Sequence, residues 1–339
     1  MQSEGTWSGP QSPGGVLTPY PAGARSGGFL HGATVDLPPA ERDPVMVTER
    51  LRTMRDRYRI DTVSVYGMER WDADGGTGEK DRFFAALAGL GLRVVVRLEG
   101  YDPARFAFGP ADVDRLRADH AQLIGYLSAP RHRHLVAYLG INMPLDDPDV
   151  QARLGGIDAP LLAERQPRYA RAAVAAVRDL LNRGGARDID VYLGVFYGWD
   201  NSYRPPSYRS AGADGYVLTS YSYPIGGPAD RHASDPVLIN EPRLRETMRR
   251  FIDQYGRRAP VVVEYGFHTA AYHAGRSPDQ TAGLVADDAA KRRALTATTR
   301  LYCTAYPSVR GTMYFGFNIY TTEGHPPARL DFALTPSPR

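Results

Sequence analysis

The sequence predicts an α/β protein that forms a single (β/α)8 TIM barrel with an irregular N-terminal strap. Eight short runs rich in β-branched residues alternate with helical patterns between residue 29 and about residue 318. This alternation is typical of a parallel sheet whose strands are joined by helices. The length of 339 residues is close to that of one such barrel with insertions, which leaves no room for a second large domain.

The first 27 residues differ in composition from the rest of the chain. They are rich in Gly, Pro and Ser and contain few apolar residues that could anchor them in a core. Such a composition is typical of a loosely held segment. We therefore predict a flexible arm over residues 1–27, followed by a barrel domain over residues 28–339.

The predicted strands are short apolar runs that end at glycine, proline or polar residues. They cover residues 29–36, 61–67, 92–99, 135–142, 189–197, 215–223, 260–266 and 311–318. Each run would form one strand of the barrel. The alternative, an open doubly wound sheet, predicts a glycine-rich turn after an early strand, and the sequence contains none of the right form.

Helical patterns fill most of the connections. Asp43 followed by Pro44 is typical of a helix start, and apolar residues then recur with helical spacing up to Tyr58. Similar patterns precede the fifth and seventh strands. The connection between the fifth and sixth strands holds Pro205 and Pro206, so we expect little or no helix there. Residues 145–166 are expected to form a long loop, which is either a lid over the site or an excursion without a function.

Composition and charge exclude several classes of function. The net charge is +3, but basic and acidic residues are interleaved rather than grouped into a patch, so we expect no nucleic-acid partner. No run approaches the ~18 apolar residues of a membrane span, and we expect no membrane partner. Cys303 is the only cysteine, which excludes a disulfide framework. His132 and His134 are expected at the surface.

The expected cellular setting rests on two further features. The chain starts without a basic region followed by an apolar one, which predicts a cytoplasmic protein. Only Lys80 and Lys291 among the 41 basic residues are lysine. The accompanying bias to Arg, Ala, Gly and Pro suggests a GC-rich genome, such as that of an actinomycete.

The active site of such a barrel lies at the C-terminal ends of its strands, so polar and aromatic residues there are the candidates. They are Asp36, Tyr66, Arg97, Glu99, Asn142, Tyr197, Trp199, Tyr221, Tyr223, Glu264, His268, Phe315 and Asn318. Aromatic faces stack on sugar rings, while carboxylates orient hydroxyls or act as acid, base or nucleophile. We therefore expect a small-molecule substrate at an acidic, aromatic barrel mouth.

Glu264 is the strongest single candidate. It follows directly after Val261, Val262 and Val263, at the end of the seventh predicted strand. A carboxylate at the end of a buried strand costs free energy unless it is paired or used. The pattern therefore indicates a functional role for Glu264.

The segment Pro260-Val-Val-Val-Glu-Tyr-Gly266 resembles the seventh strand of the retaining (β/α)8 glycoside hydrolases, the clan that includes β-galactosidases, β-glucuronidases and cellulases. The resemblance implies that Glu264 is the nucleophile. The eighth strand, Gly311-Thr-Met-Tyr-Phe-Gly316, is also similar, with Phe315 where the clan usually has tryptophan. As architecture the resemblance spans residues 29 to about 320, but its motifs cover only a few dozen residues.

The fourth strand departs from that clan. There the strand ends in Asn-Glu-Pro, and the glutamate is the general acid/base; this chain reads Asn142-Met143-Pro144. The resemblance implies that Asn142 binds a substrate hydroxyl, but methionine cannot transfer a proton. Hydrolysis with retention of the anomeric configuration requires two carboxyl groups about 5–5.5 Å apart. Either another acid substitutes, with Glu99, Asp36, Asp146 and Asp147 as the candidates, or the enzyme lacks a protein acid and uses a substrate whose leaving group needs no protonation.

Three functions stay open on the sequence alone. The first is a glycoside-hydrolase-like enzyme with Glu264 as nucleophile or base, and with Glu99 or Asp146 as further catalytic groups. The second is a repurposed pseudo-glycosidase that catalyses a cyclisation, elimination or isomerisation in bacterial natural-product biosynthesis. The third is a non-catalytic carbohydrate-binding barrel. We expect no cofactor and no metal, since His268 and His273 lack a recognisable ligand set. The oligomeric state stays open.

Overall fold

The protein forms one closed barrel of eight parallel strands in the order β1 to β8, which confirms the predicted fold class. The computed structural model describes residues 28–35, 37, 42–72, 77–99, 102, 104–144, 148–156, 160–197, 203–220, 241–266 and 288–315. The predicted arm over residues 1–27 lies outside the described residues. Each strand pairs with its two neighbours, and β8 closes the barrel on β1.

All eight strands lie within or overlap the predicted runs. They are β1 Leu30–Thr34, β2 Thr62–Val65, β3 Arg93–Leu98, β4 Val136–Ile141, β5 Val191–Phe196, β6 Gly215–Thr219, β7 Val261–Tyr265 and β8 Val309–Tyr314. Their residues are buried almost throughout, as expected for strands covered on both faces. The predictions err mainly at the ends, because the polar residues after each strand leave the hydrogen-bonded ladder.

Helices surround this barrel. They are α1 Pro44–Tyr58, α2 Gly78–Leu90, α3 Pro110–Ser128, α4 Pro130–Arg133, α5 Pro148–Arg153, α6 Pro160–Arg183, α7 Glu241–Tyr255 and α8 Asp288–Ala305. Helix α1 begins as predicted, because the Asp43 carboxylate accepts hydrogen bonds from the backbone N–H groups of Val45 and Met46. It ends at Arg59, which has a left-handed backbone conformation (φ 57°).

The expectation of a long loop over residues 145–166 was wrong for the described part of that segment. Helix α5 ends at Arg153, shortly before Gly155 and Gly156, which both have positive φ, and α6 already begins at Pro160. The helical periodicity of α6 extends upstream to the buried residue Leu162. The glycine pair marks the end of a short helix rather than an extended loop, because glycine is the residue that a helix C-terminus favours.

The connection between β5 and β6 lacks an α-helix in its described residues 203–214, as predicted. It contains one 3-10 turn at Arg209–Ala211, and buried side chains fill the place of a helix. The Gln166 amide of α6 donates to the Tyr203 hydroxyl (2.9 Å) and accepts from the Tyr208 hydroxyl (2.8 Å). This network ties the connection to α6.

Replacing Gln166 by leucine is expected to lower the free energy of unfolding by about 1–3 kcal/mol, the cost of leaving a buried hydroxyl without its partner. Tyr208 loses the acceptor for its hydroxyl in this variant. Chemical denaturation measures the effect. Gln122 is exposed on α3, so Gln122→Leu is the matched control and should change stability by less than about 0.5 kcal/mol. Equal stabilities of the two variants would contradict the role of the network.

His132 is buried, so the expectation of a surface position was wrong for this residue. Its ring stacks on Tyr126 with 4.0 Å between centroids, and Nδ1 lies 2.9 Å from the Tyr126 carbonyl oxygen. The short helix α4 turns back at Ala129 and folds the imidazole against the end of α3. Sequence position alone could not show this, because the contact depends on the angle between the two helices.

His120 is buried within α3, and neither ring nitrogen has a hydrogen-bond partner in the described structure. Burial lowers the pKa of His120, although the nearby charge of Glu69 partly opposes the shift. As pH falls below about 6.5, the unfolded chain therefore binds a proton before the folded protein does. The folded state should lose stability between that pH and the lower pKa of the folded protein.

The variant His120→Gln is expected to reduce this loss. The difference in free energy of unfolding between pH 7.5 and pH 5.5 should be smaller in His120→Gln than in the natural protein. His134→Gln is the control, because His134 is exposed. The prediction fails if both variants keep the natural pH dependence.

Apolar side chains fill the barrel interior below its C-terminal mouth and form a closed floor there. Leu30, Val95, Tyr138, Tyr192, Val217, Val262 and Met313 form one buried cluster inside the barrel. The rings of Tyr138 and Tyr192 stack with centroids 4.3 Å apart. Gly215 makes room for the Tyr192 ring, since a Cβ at this position would collide with it. Polar side chains above this floor can therefore line only the C-terminal end.

Candidate active site

Glu264 faces into the barrel near the C-terminal end of β7. Side chains of a strand alternate between its two faces, and Val262, two residues earlier, belongs to the interior cluster. Only 6% of the Glu264 surface is exposed. The prediction that this carboxylate lies at the mouth side of a buried strand thus matches its position in the fold.

Arg97 is the ionic partner of Glu264. Arg97 lies on β3, and its Nη1 atom is 3.1 Å from Glu264 Oε2, with both side chains more than nine-tenths buried. The strand registers place Thr34, Arg97, Gly194 and Glu264 in one layer from alternate strands. Because Gly194 has no side chain, the guanidinium and the carboxylate can meet within this layer.

Tyr66 is a second contact of the Glu264 carboxylate. It follows β2 directly, and its hydroxyl donates a hydrogen bond to Glu264 Oε2 over 3.4 Å. Its ring lies 5.2 Å from the Arg97 guanidinium carbon, within the range of a cation–π contact. Phe315 meets the same ring edge-on at 6.5 Å. Tyr66 thereby links the ion pair to an aromatic wall formed by β2 and β8.

Arg97 contributes a permanent positive charge to this ion pair. Burial by itself lowers the pKa of Arg97, but the surrounding Tyr66, Glu264, Tyr138 and Glu99 outweigh it, and the pKa is raised above its usual value. Arg97 therefore stays protonated at every practical pH. The carboxylate of Glu264 has a fixed counter-charge, which a buried carboxylate requires.

A second carboxyl group lies on the neighbouring strands. Glu99 follows β3, and its Oε1 accepts a hydrogen bond from the side-chain amide of Asn142 over 3.4 Å. Glu99 and Asn142 are both half-buried. Arg97, the partner of Glu264, lies two residues before Glu99 in the chain. The carboxyl groups of Glu99 and Glu264 therefore lie at the same end of the barrel. The arrangement supplies two carboxyl groups with different partners, a pattern that enzymes use to separate the roles of two carboxyl groups.

Met143 is buried, with 3% of its surface exposed, and belongs to the main hydrophobic core. A Cβ at Gly194 would lie 3.7 Å from the Met143 Cβ, so the residues that follow β4 pack closely against β5. The residue that follows Asn142 is thus apolar and enclosed, and it has no group that can transfer a proton.

Tyr197 does not join this group. Its hydroxyl donates to Gln254 of α7 over 2.8 Å, and the side chain is buried outside the barrel wall. Phe196 and Thr219, which the sequence analysis does not single out, share the inward face with Glu264. Phe196 pairs with Thr219 across β5 and β6, and Thr219 pairs with Glu264 across β6 and β7. The two-residue alternation from Tyr192 along β5 was the signal that could have identified Phe196.

The other predicted site residues lie outside the described residues, and their roles stay predictions. They are Asp36, Asp146, Trp199, Tyr221, Tyr223, His268 and Asn318. Within the described ranges, no group of three or more His, Cys, Asp or Glu side chains could hold a metal ion. In that same part of the chain, no helix combines the length and apolarity needed to cross a bilayer.

Comparison with known proteins identifies the fold but no family. No protein-family model and no curated protein sequence matches the chain. Solved structures of glycoside hydrolases share its (β/α)8 barrel. A GH5_18 protein from Bifidobacterium longum subsp. infantis superposes with a TM-score of 0.57 at 16% identity, over 90% of this chain and 74% of that one.

Two further structures agree. A GH113 β-1,4-mannanase has a TM-score of 0.52 at 14% identity, over 91% of this chain and 94% of the mannanase. A β-galactosidase from the psychrophilic Marinomonas ef1 has a TM-score of 0.52 at 12% identity, over 90% of this chain. The aligned part is 56% of the galactosidase chain. The chain therefore has a glycoside-hydrolase-like TIM barrel, as the resemblance of its strands implied.

Proposed function

We propose that the protein is a glycoside-hydrolase-like enzyme that acts on a small soluble glycoside or sugar-like substrate. The observation that carries the proposal is the position of Glu264. Its carboxylate lies at the mouth of a glycoside-hydrolase-like barrel and contacts both Arg97 and Tyr66. A buried, oriented carboxylate with a fixed counter-charge suits a nucleophile or base in glycosyl transfer.

Glu99 is the proposed proton donor. One Glu264 oxygen attacks the anomeric carbon while the bond to the leaving-group oxygen breaks, and that oxygen takes the proton of the Glu99 carboxyl group. Water then attacks the same carbon, transfers a proton to the Glu99 carboxylate and releases Glu264. The hydrogen bond from Asn142 to Glu99 Oε1 supports this role, because it orients the second carboxyl group.

The aromatic wall is the proposed binding surface. Tyr66 and Phe315 contact each other at the mouth, and such rings bind the apolar face of a sugar while carboxylates bind its hydroxyls. Trp199, Tyr221 and Tyr223 stay predicted as further aromatic contacts. Asp146 stays the alternative to Glu99 as proton donor.

A panel of aryl glycosides tests the proposal. Aryl leaving groups of low pKa need little help from an acid, so the proposal expects turnover of the most activated members. Glu99→Gln should lower kcat/KM by about 10²- to 10⁴-fold for poor leaving groups and by much less for good ones. Glu79 is a solvent-accessible carboxylate that pairs with Arg42, so Glu79→Gln is the control and should show no such dependence. Equal losses on all leaving groups would exclude Glu99 as the acid.

A non-hydrolytic enzyme on the same fold is the second candidate. The observation that favours it is the apolar, buried Met143 next to Asn142, in place of the glutamate found there in the glycoside hydrolases that this chain resembles. Glu264 would then act as a base or as an electrostatic anchor. Ligands that bind at the mouth and are converted without release of a sugar would support this candidate. Binding without any conversion would support a carbohydrate-binding barrel.

A further inference from the structure

Tyr138 is a buried phenol directly below the ion pair. It lies on β4 and faces the barrel interior with 1% of its surface exposed. Its hydroxyl has no hydrogen-bond partner in the described structure. Burial raises the pKa of Tyr138, so the phenol stays protonated. A buried hydroxyl without a partner costs about 1–3 kcal/mol, so its position calls for a physical reason.

Arg97 is the polar group next to this phenol. Gly140 shares strand and face with Tyr138, and a Cβ on Gly140 would lie 3.0 Å from Arg97 Cδ, 3.4 Å from Arg97 Nε and 3.6 Å from Tyr138 Cε2. The arginine side chain therefore passes across Gly140 beside the tyrosine ring. The Tyr138 phenol is also among the groups that raise the pKa of Arg97, so it lies within electrostatic reach of the guanidinium.

The guanidinium has unused donors on this side. Arg97 Nε and Nη1 are both buried and make no hydrogen bond with the described residues. The contact of Nη1 with Glu264 is an ion pair at 3.1 Å that lacks the angle of a hydrogen bond. Two buried donors of Arg97 without a hydrogen-bond partner thus lie beside a tyrosine whose hydroxyl also lacks one, and Glu264 is the ion-pair partner of the cation.

We propose that Tyr138 is a positioning residue that holds Arg97 whenever Glu264 is neutral. In the proposed function, Glu264 loses its charge when its oxygen bonds to the substrate carbon or takes up a proton. Arg97 would then be a buried cation without its partner, which is strongly unfavourable. The Tyr138 oxygen accepts an N–H group of Arg97 in that state and keeps the guanidinium in the layer of Glu264. This inference rests on the proposed role of Glu264.

A double-mutant cycle without substrate tests the role of Tyr138. Glu264→Met removes both the charge and the acceptor, and Tyr138→Phe removes the phenolic oxygen. We expect Tyr138→Phe to change the unfolding equilibrium constant by less than about threefold in the natural protein and by about tenfold or more in the Glu264→Met background. Tyr192→Phe, which alters the stacked partner, is the control and should show no such coupling.

The outcomes separate the possibilities. Equal effects of Tyr138→Phe in both backgrounds would overturn the proposal, since a merely structural tyrosine acts equally in each. If Glu264→Met does not fold, Glu264→Gln replaces it, and the NMR signal of the Arg97 Nε–H group becomes the measurement. That signal should move on Tyr138→Phe only when residue 264 is neutral. Failure to hydrolyse any glycoside overturns the proposed function instead and leaves this cycle unaffected.

Discussion

Replacing Arg97 by leucine is expected to lower the free energy of unfolding by about 3–5 kcal/mol, the cost of removing one partner of a buried ion pair. The variant leaves the Glu264 carboxylate more than nine-tenths buried without its counter-charge. The hydrogen bond from Tyr66, which spans 3.4 Å, cannot replace a full positive charge. Chemical denaturation at neutral pH measures the loss directly.

Two further variants show whether the loss comes from the unpaired charge. In the double variant Arg97→Leu with Glu264→Met, part of the lost stability should return, because both charges are gone. Arg183 forms an exposed ion pair with Asp179, so Arg183→Leu should cost no more than about 1 kcal/mol. If Arg97→Leu costs no more than Arg183→Leu, the buried pair contributes little to stability.

Replacing Glu264 by glutamine is expected to lower kcat/KM on activated aryl glycosides by about 10²- to 10⁴-fold. Glutamine keeps the shape of the side chain but can neither attack an anomeric carbon nor accept a proton. Steady-state release of the aryl group measures the effect. Because activated leaving groups leave without a proton, this readout is independent of whether Glu99 is the acid.

A matched variant on the outside of the barrel provides the control. Glu246 lies on α7, where Arg249 and Arg250 lower its pKa to about 2. Glu246→Gln therefore removes a paired carboxylate far from the mouth and should leave kcat/KM within about twofold of the natural value. Retained turnover in Glu264→Gln would remove Glu264 from the mechanism.

The fold could be predicted because its signals are local. The valine run of β7 and the Asp43-Pro44 start of α1 both depend on residues adjacent in sequence. The boundaries of α5 and α6 could not be predicted in the same way. Their glycine pair and prolines are compatible with a loop as well as with two helix ends, and burial of residues such as Leu162 favours the helix.

The candidate site was predictable as a set of residues but not as a set of contacts. Glu264, Arg97, Tyr66, Glu99 and Asn142 could all be expected at strand ends. The sequence reasoning assigned Arg97 to the substrate, whereas the structure pairs it with Glu264. The reason is that strand ends show only which residues reach the mouth, and the register across the barrel shows which of them meet.

The amino-acid sequence is sufficient to predict the eight alternating units, the strand-end carboxylate Glu264 and the absence of a proton-transfer group at Met143. These features follow from periodicity and residue identity within short segments. The hydrogen bond that Tyr66 donates to Glu264, 198 positions away in the chain, becomes visible only in the folded barrel. Closure of the barrel brings alternate strands into shared layers, so side chains remote in sequence become neighbours in a site shielded from water.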